Sequence, residues 1–185
     1  MSLRFGTDGV RGVANAELSP ELALALGRAA ARRLPGGCHL VGRDTRRSGP
    51  MLQAALSAGL ASEGRDVLDA GVLPTPALAF LSSAEGRPAA MVSASHNPFG
   101  DNGVKLFAPG GLKLAEEAEA GIEAETASLV AEGPGEAGRP AGEQVGSIVP
   151  HPDPLGAYVD HLLATLEGRS LGGLAVVLDC AHGAA

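Results

Sequence analysis

A hydroxyl, an imidazole and an amide lie close together in residues 93–98, which read Ser-Ala-Ser-His-Asn-Pro. The apolar run 89–92 precedes this segment, and Asp-Asn-Gly follows it at residues 101–103. A short apolar run bounded by turn signals is typical of a buried strand, and loops at strand ends often carry reacting groups. A polar hairpin turn is the alternative, but a simple turn requires only Gly, Asn or Pro. We therefore predict that Ser95 and His96 lie on a loop that does chemistry.

The chemistry that suits Ser95 is nucleophilic attack or phosphate transfer. A serine hydroxyl is a weak nucleophile unless a neighbour takes its proton, and a phosphoserine is a weak donor unless its charge is neutralised. His96 could carry that proton, or it could only brace the loop through its ring nitrogens. Arg11 and Lys105 could hold phosphate oxygens once the chain folds. Arg11 lies in a glycine-rich segment that suits close approach to an anion, although a plain turn fits the glycines equally well.

A second group of charged residues, Arg-Asp-Thr-Arg at positions 43–46, follows the predicted strand 38–42. Here we predict an ion pair that stabilises the loop, with direct contact between Arg43 and a substrate as the second interpretation.

The elements that must position these residues alternate along the chain. Ser19-Pro20 and Ser48 are typical helix starts, and Pro35 with the two glycines after it is a typical stop. The first predicted helix starts at Pro20 and stops near residues 35–37, the second follows Ser48 with an apolar stripe over 51–60, and the third covers residues 77–83. The predicted strands cover 38–42, 66–72 and 88–92. The Asn102-Gly103 turn indicates one antiparallel strand. The pattern predicts a three-layer α/β/α domain with a mixed, mostly parallel sheet, whose ligands bind beyond the carboxyl ends of the strands.

The later part of the chain indicates a change of unit. A glutamate-rich helix over 114–131 precedes residues 133–146, whose five Gly and two Pro predict a linker or exposed loop. Asp153-Pro154 predicts a further helix, and residues 174–178 have the composition of a buried strand. We expect a first domain over 1–150 and the truncated start of a second, similar domain over 151–185, because the last strand has no later element to cover it.

Composition excludes several function classes. The 185 residues have a net charge of −7, no long basic run and few aromatic residues, which argues against a nucleic-acid partner. Cys38 and Cys180 form no pair typical of a disulfide framework or a thiolate metal site. No signal peptide or membrane-spanning run is present, so we expect a cytoplasmic protein without a membrane partner. A homodimer through the alanine- and leucine-rich first helix is left open.

Four segments together resemble the α-D-phosphohexomutase family. They are Phe-Gly-Thr-Asp-Gly-Val-Arg-Gly at 5–12, Val-Gly-Arg-Asp-Thr-Arg at 41–46, the loop at 93–98, and Asp-Asn-Gly-Val-Lys at 101–105. They occur in the family's order and spacing, and the first segment most resembles the amino-sugar branch. Residues 177–184 resemble the opening of the family's second domain, although His182 stands where the family usually has Asn.

The resemblance implies roles for particular residues. Ser95 would carry the phosphate, and an oxygen of that phosphate would be a ligand of Mg²⁺, whose other ligands would lie beyond Ala185. Lys105 and His96 would transfer protons or contact phosphate, and Arg11 would contact the serine phosphate. Further substrate or phosphate contacts would come from the following residues: Thr7, Asp8, Asn97 and Arg43.

The resemblance also implies a reaction. The enzyme would be an isomerase that interconverts glucosamine 6-phosphate and glucosamine 1-phosphate through glucosamine 1,6-bisphosphate, in amino-sugar and cell-wall precursor synthesis. We expect the 185 residues alone to be inactive, because the family's aspartate-rich metal loop, sugar-selecting glutamate loop and terminal phosphate loop do not occur in them. The alternatives are a mutase acting on glucose or mannose phosphates, and a non-catalytic module that binds phosphosugars.

Overall fold

The structure is a computed structural model, which describes residues 6, 9–132, 138–180 and 183–184. The strands within these residues are β1 (Val10–Val13), β2 (Cys38–Arg43), β3 (Asp66–Val72), β4 (Ala89–Val92), β5 (Asp101–Ala108), β6 (Leu112–Lys113) and β7 (Ile148–Pro150). They form one mixed sheet, in the spatial order β1-β5-β4-β2-β3-β7, with β6 paired to β5. Neighbours β4, β2, β3 and β7 run parallel, whereas β5 is antiparallel to both β1 and β4. The predicted mixed, mostly parallel sheet is confirmed.

Helices cover both faces of this sheet and complete the predicted three layers. They are α1 (Pro20–Arg33), α2 (Gly49–Ser62), α3 (Thr75–Glu85), α4 (Glu116–Glu132) and α5 (Pro154–Ala164). Helices α1, α2 and α4 pack on one face, where the core includes Leu26, Leu56 and Ile122. Helix α3 covers the other face around Leu78 and Met91, and α5 packs against it.

The first two helices begin where proline and serine predict, but only one serine acts as a cap. The Ser19 hydroxyl accepts a hydrogen bond from the Leu22 N–H at 3.3 Å. Ser48 precedes α2 without capping it, because its backbone is already helical and its hydroxyl accepts from the Asn102 amide at 2.9 Å. The predicted cap at Ser48 is therefore wrong, and this hydroxyl instead joins the start of α2 to β5.

The predicted turn at Asn102-Gly103 is also wrong, because both residues lie inside β5. Residues 93–100 make the reversal between β4 and β5. The expected antiparallel strand is therefore present, but the turn before it lies upstream of Asn102-Gly103. Gly103 is required by crowding: a Cβ there would lie 2.8 Å from the carbonyl oxygens of both Ser93 and Val10. Its missing side chain also leaves space for the Arg11 side chain, whose Cγ would be 2.9 Å from that Cβ.

Helices α1 and α2 cross in backbone contact at two glycines. A Cβ on Gly27 would lie 2.2 Å from the Leu56 carbonyl oxygen, and one on Gly59 would lie 2.2 Å from that of Leu24. The small residues of α1 therefore belong to the core, where they let the two helices approach closely.

Part of the predicted linker docks on the sheet. Residues 133–137 lie outside the described residues, but the Gly146 N–H donates to the Ala61 carbonyl at 2.9 Å and leads into β7. The sequence did not predict this short edge strand. Helix α5 begins as predicted, with the Asp153 carboxylate accepting from the Gly156 N–H at 2.9 Å, and it stacks His161 on Phe80 with ring centroids 4.2 Å apart.

The predicted strand over residues 174–178 is not formed. These residues have no regular secondary structure, and Val177 is 97% exposed. Among the described residues no strand pairs with them, and an apolar run without a partner strand cannot satisfy its backbone groups in a sheet. The domain boundary at residue 150 stays a prediction.

Candidate functional site

The serine-containing loop spans residues 93–100 and joins β4 to β5 at the carboxyl end of the parallel strands. The Ser93 N–H donates to the Gly103 carbonyl at 2.9 Å, and the Asp101 N–H donates to the Pro98 carbonyl at 3.0 Å, so the loop is closed at both ends. Ala94 is fully buried beneath it, whereas Ser95 and His96 are exposed. The loop therefore presents its reactive side chains to solvent from a fixed base.

Ser95 has a left-handed backbone, with φ at 56°. Residues with a Cβ disfavour this region, and it persists where surrounding contacts impose it. One such contact is the Ser95 N–H, which donates to the Ser93 hydroxyl at 2.9 Å. That hydroxyl in turn donates to the Asp44 carboxylate at 2.7 Å. The position of Ser95 is thus tied to the segment that follows β2.

An ion pair lies in that segment, as the charges at 43–46 predicted. Its members are Asp44 and Arg46, with 3.0 Å between the carboxylate Oδ2 and Nε, and both side chains are buried. Because Arg46 balances the charge of Asp44, the carboxylate adds little negative charge to the surface near Ser95. The Arg43 guanidinium donates to the Asp44 carbonyl at 3.2 Å, and its stem lies against Gly49.

Two cationic side chains share a small cleft with Ser95. Arg11 on β1 and Lys105 on β5 lie on the same sheet face, because Arg11 pairs with Gly103, two residues before Lys105. The cleft has a volume of about 140 Å³, and its described lining residues include no carboxylate. They are Arg11, Thr75, Met91, Ser93, Ser95 and Lys105. This arrangement suits an anion such as phosphate.

Asn97 couples Arg11 to the loop. Its amide oxygen accepts from the Arg11 Nη1 at 3.0 Å, and its amide nitrogen donates to the Asp101 carboxylate at 3.0 Å. The orientation of Arg11 beside Ser95 therefore depends on a loop side chain as well as on β1.

The His96 side chain lies next to that of Ser95, with its Nδ1 3.4 Å from the serine Oγ. His96 also borders a larger cleft of about 420 Å³, which reaches Asp44, Pro74 and the chain near Cys180. Both clefts include Ser95, so its hydroxyl lies where the cationic cleft and the larger cleft meet. A ligand with an anionic end and a larger polar body could occupy the two together.

The predicted site residues are thus only partly brought together. Arg11, Ser95, His96, Asn97 and Lys105 surround the two clefts, whereas Arg43 borders neither of them. Thr7 and Asp8 lie outside the described residues.

The sequence reasoning missed three positions that shape this site. They are Ser93, the Arg46 side chain and Thr75 at the start of α3. The only sequence signal for α3 as a wall of the site was its proline-rich start, which predicts a helix beginning and does not indicate what faces it.

A magnesium ion does not find a ligand set in the part of the chain that the structure describes. No group of three or more His, Cys, Asp or Glu side chains suited to a metal occurs there. Asp44 is already bonded to Arg46 and Ser93, and Asp101 accepts from Asn97. Since Mg²⁺ prefers carboxylate and phosphate oxygens, these residues alone do not form its site.

Comparison with known proteins matches the whole chain. Residues 2–132 match the family described as Phosphoglucomutase/phosphomannomutase, alpha/beta/alpha domain I. Phosphoglucosamine mutases of Mycobacterium sp. (strain KMS) and Symbiobacterium thermophilum are 55% and 54% identical over 192 aligned residues, which cover 100% of this chain. The chain spans 42% of the length of either relative.

A solved structure has the same architecture. A phosphoglucomutase/phosphomannomutase family protein from Burkholderia thailandensis superposes with a TM-score of 0.70 at 30% identity, over 86% of this chain and 35% of its own.

No helix among the described residues is both long and apolar enough to cross a membrane.

Proposed function

This chain belongs to the phosphoglucomutase/phosphomannomutase family, and from that membership and the loop geometry we propose that it is the phosphoserine-bearing domain of a phosphoglucosamine mutase. In this proposal Ser95 carries a phosphoryl group that is exchanged with a hexosamine phosphate. The protein would be an isomerase, and glucosamine 6-phosphate and glucosamine 1-phosphate would be its substrate and product.

The observation that carries the proposal is the exposed Ser95 hydroxyl at the mouth of a cleft with two cations, Arg11 and Lys105. A phosphoserine bears between one and two negative charges at neutral pH, and its transfer needs those charges neutralised. Arginine and lysine side chains in one small cleft supply that neutralisation, with the arginine able to bind two oxygens at once.

The reaction balances as two transfers. In the first, the bond between Ser95 Oγ and phosphorus breaks, a bond forms from phosphorus to the C1 hydroxyl oxygen of glucosamine 6-phosphate, that hydroxyl loses its proton, and Ser95 Oγ gains one. The product is glucosamine 1,6-bisphosphate and free serine. In the second, the 6-phosphoryl group returns to Ser95 Oγ, the serine hydroxyl loses its proton, and the C6 oxygen gains one, which leaves glucosamine 1-phosphate.

His96 and Lys105 are the proposed proton carriers. The His96 Nδ1 is 3.4 Å from Ser95 Oγ, which is longer than a strong hydrogen bond but within the range that closes when substrate binds. Lys105, on β5, lines the small cleft with Ser95, and its Nζ lies 5.7 Å from the Phe107 ring centroid. Either amine or imidazole could hold the proton that leaves the attacking hydroxyl.

In this proposal Mg²⁺ would be held in part by the phosphate on Ser95. A phosphoryl oxygen on Ser95 would be one ligand, and the ion would supply charge neutralisation at the transferring group. Since the described residues form no carboxylate set for it, we also propose that these 185 residues accept phosphate but do not complete the interconversion.

Mass spectrometry of the purified chain tests the proposal. The chain is incubated with glucosamine 1,6-bisphosphate and Mg²⁺, and phosphate on Ser95 is located by peptide mapping. We expect phosphorylation of wild type and of Ser83→Ala, an exposed serine on α3, and none at this position in Ser95→Ala. A folded wild-type chain that gains no phosphate would contradict the proposal. Because these residues lack the family's sugar-selecting loop, turnover of the glucosamine, glucose and mannose phosphates by the proposed full-length enzyme decides between this sugar class and the alternatives.

A further inference from the structure

A buried arginine lies beneath the reactive loop. Arg46 follows β2, and 1% of its surface is exposed, which makes it the largest of the fully buried side chains among the described residues. A guanidinium has five N–H groups, and a buried one is tolerated only when those groups find acceptors. The hydrogen-bond acceptors of Arg46 therefore indicate its structural role.

All five N–H groups of Arg46 donate to the loop, to the first residue of β5 or to Asp44. Nε donates to the Asp44 carboxylate at 3.0 Å, and Nη1 donates to the carbonyls of Pro98 and Asp101. Nη2 donates to the carbonyls of Ser95 at 2.8 Å and Asn97 at 2.9 Å. Three carbonyl oxygens of the serine loop and that of Asp101, the first residue of β5, thus converge on one planar cation.

These bonds fix both backbone groups of the reacting serine. The Ser95 carbonyl accepts from Arg46, and the Ser95 N–H reaches Asp44 through the Ser93 hydroxyl. Arg46 and Asp44 are themselves paired, so the two restraints on Ser95 meet in a single buried ion pair. This closed set of contacts accounts for the left-handed φ of 56° at Ser95.

We propose that Arg46 is a positioning residue for phosphoryl transfer. It acts through the peptide groups of the loop, and it holds Ser95 in the one backbone conformation that directs Oγ toward Arg11 and Lys105. It is not a catalytic residue, because its guanidinium is enclosed by the loop and has no N–H group left for a ligand. This inference rests on the proposed role of Ser95.

The shape of the guanidinium is part of the inference. Lysine has three donors on a single nitrogen, and these cannot reach four carbonyls and a carboxylate arranged around a plane. Arg46→Lys therefore keeps the buried charge and the ion pair with Asp44 while it releases some of the loop carbonyls. Arg47→Lys is the matched control, since Arg47 is the adjacent, exposed arginine.

The test follows the initial rate of Ser95 phosphorylation by glucosamine 1,6-bisphosphate in each variant. We expect Arg46→Lys to lower this rate by about 10- to 100-fold, which is the usual cost of misplacing a reacting group by about 1 Å, and Arg47→Lys to leave it unchanged. In Arg46→Ala, millimolar guanidinium should restore part of the rate. Equal rates for Arg46→Lys and wild type would overturn the inference, whereas a wild type that accepts no phosphate would overturn the proposed function instead.

Amide hydrogen exchange gives a readout that does not depend on the reaction. In Arg46→Lys we expect faster exchange over residues 94–101 and unchanged protection in β3. If Arg46→Lys does not fold, Ser93→Ala serves in its place, because it cuts the link from the Ser95 N–H to Asp44 and leaves the buried ion pair intact. Unchanged exchange over 94–101 in folded Arg46→Lys would contradict the positioning role of Arg46, and unchanged exchange in Ser93→Ala would contradict the restraint that reaches Ser95 through Asp44 of the same ion pair.

Discussion

The backbone of Ser95 predicts that its replacement by glycine is better tolerated than its replacement by alanine. A residue with a Cβ pays roughly 1–2 kcal/mol for a left-handed conformation, and Ser95 has φ at 56°. Glycine escapes this cost but loses about 0.5–1 kcal/mol through the greater freedom of its unfolded chain. The difference leaves Ser95→Gly more stable than Ser95→Ala by about 0.5–1 kcal/mol. Both variants lack the hydroxyl, so its contact with His96 cancels in the comparison.

Chemical denaturation of the two variants, at one temperature and pH, measures this difference. In a thermal scan it corresponds to a midpoint higher by about 2–3 °C for the glycine variant. The order is the reverse of the usual one, because glycine in a regular element is ordinarily the less stable residue. If Ser95→Ala were the more stable of the two by about 0.5 kcal/mol or more, the reasoning that contacts impose an unfavourable backbone on Ser95 would be refuted.

Three further predictions concern the core and the cationic cleft. Burial lowers the pKa of His39 to about 4, with Arg65 adding to the effect, so the unfolded chain binds a proton near pH 6.5 that the folded protein does not. Stability is complete above that pH, and we expect denaturant titrations to show a loss of about 2–3 kcal/mol on lowering the pH to about 4.5, absent in His39→Phe. Gly27→Ala should lower the free energy of unfolding by about 1–3 kcal/mol or more, because its Cβ would lie 2.2 Å from a carbonyl of α2. Gly121→Ala on α4 is the control: its Cβ meets no atom within 4 Å, and the variant should be more stable by up to about 1 kcal/mol. Equal changes in unfolding free energy for the two variants would contradict the close crossing of α1 and α2. Arg11→Gln should slow Ser95 phosphorylation by about 10- to 100-fold at unchanged thermal stability, in line with the loss of one charge-assisted phosphate contact.

Local signals in the sequence predict the regular elements well where a single mechanism decides them. Ser19 with Pro20 fixes the start of α1, because a hydroxyl acceptor and a preset φ both favour that position. The same signals fail where a distant strand decides. Asn102 and Gly103 form a turn in many sequences, but here Gly103 lies in a strand because two neighbouring backbones leave no space for a side chain. Strand β7 was missed for a similar reason, since three residues that include a proline form a strand only beside β3.

The site divides in the same way. The motif at 93–98 and the resemblance predict Ser95, His96 and the two cations as site residues, and all four line the two clefts that meet at Ser95. The charges at 43–46 predicted an ion pair, which the structure contains, but not that the arginine of the pair would bind the carbonyls of a loop about 50 residues later. A hydrogen bond to a backbone carbonyl does not depend on the type of residue that supplies it. The sequence therefore does not reveal these contacts, and only the fold shows that the buried Arg46 side chain binds the loop.

The contacts of Arg46 have a consequence for altering this protein. They recognise carbonyl oxygens, which every amino acid possesses, so the path of the loop depends little on which side chains it bears at its exposed positions. His96 and Phe99 are two such positions. A library that varies them would present different acids, bases and apolar groups beside the same serine on a constant backbone. The contacts that fix the backbone of the loop are thus separate from the exposed side chains that surround the serine hydroxyl.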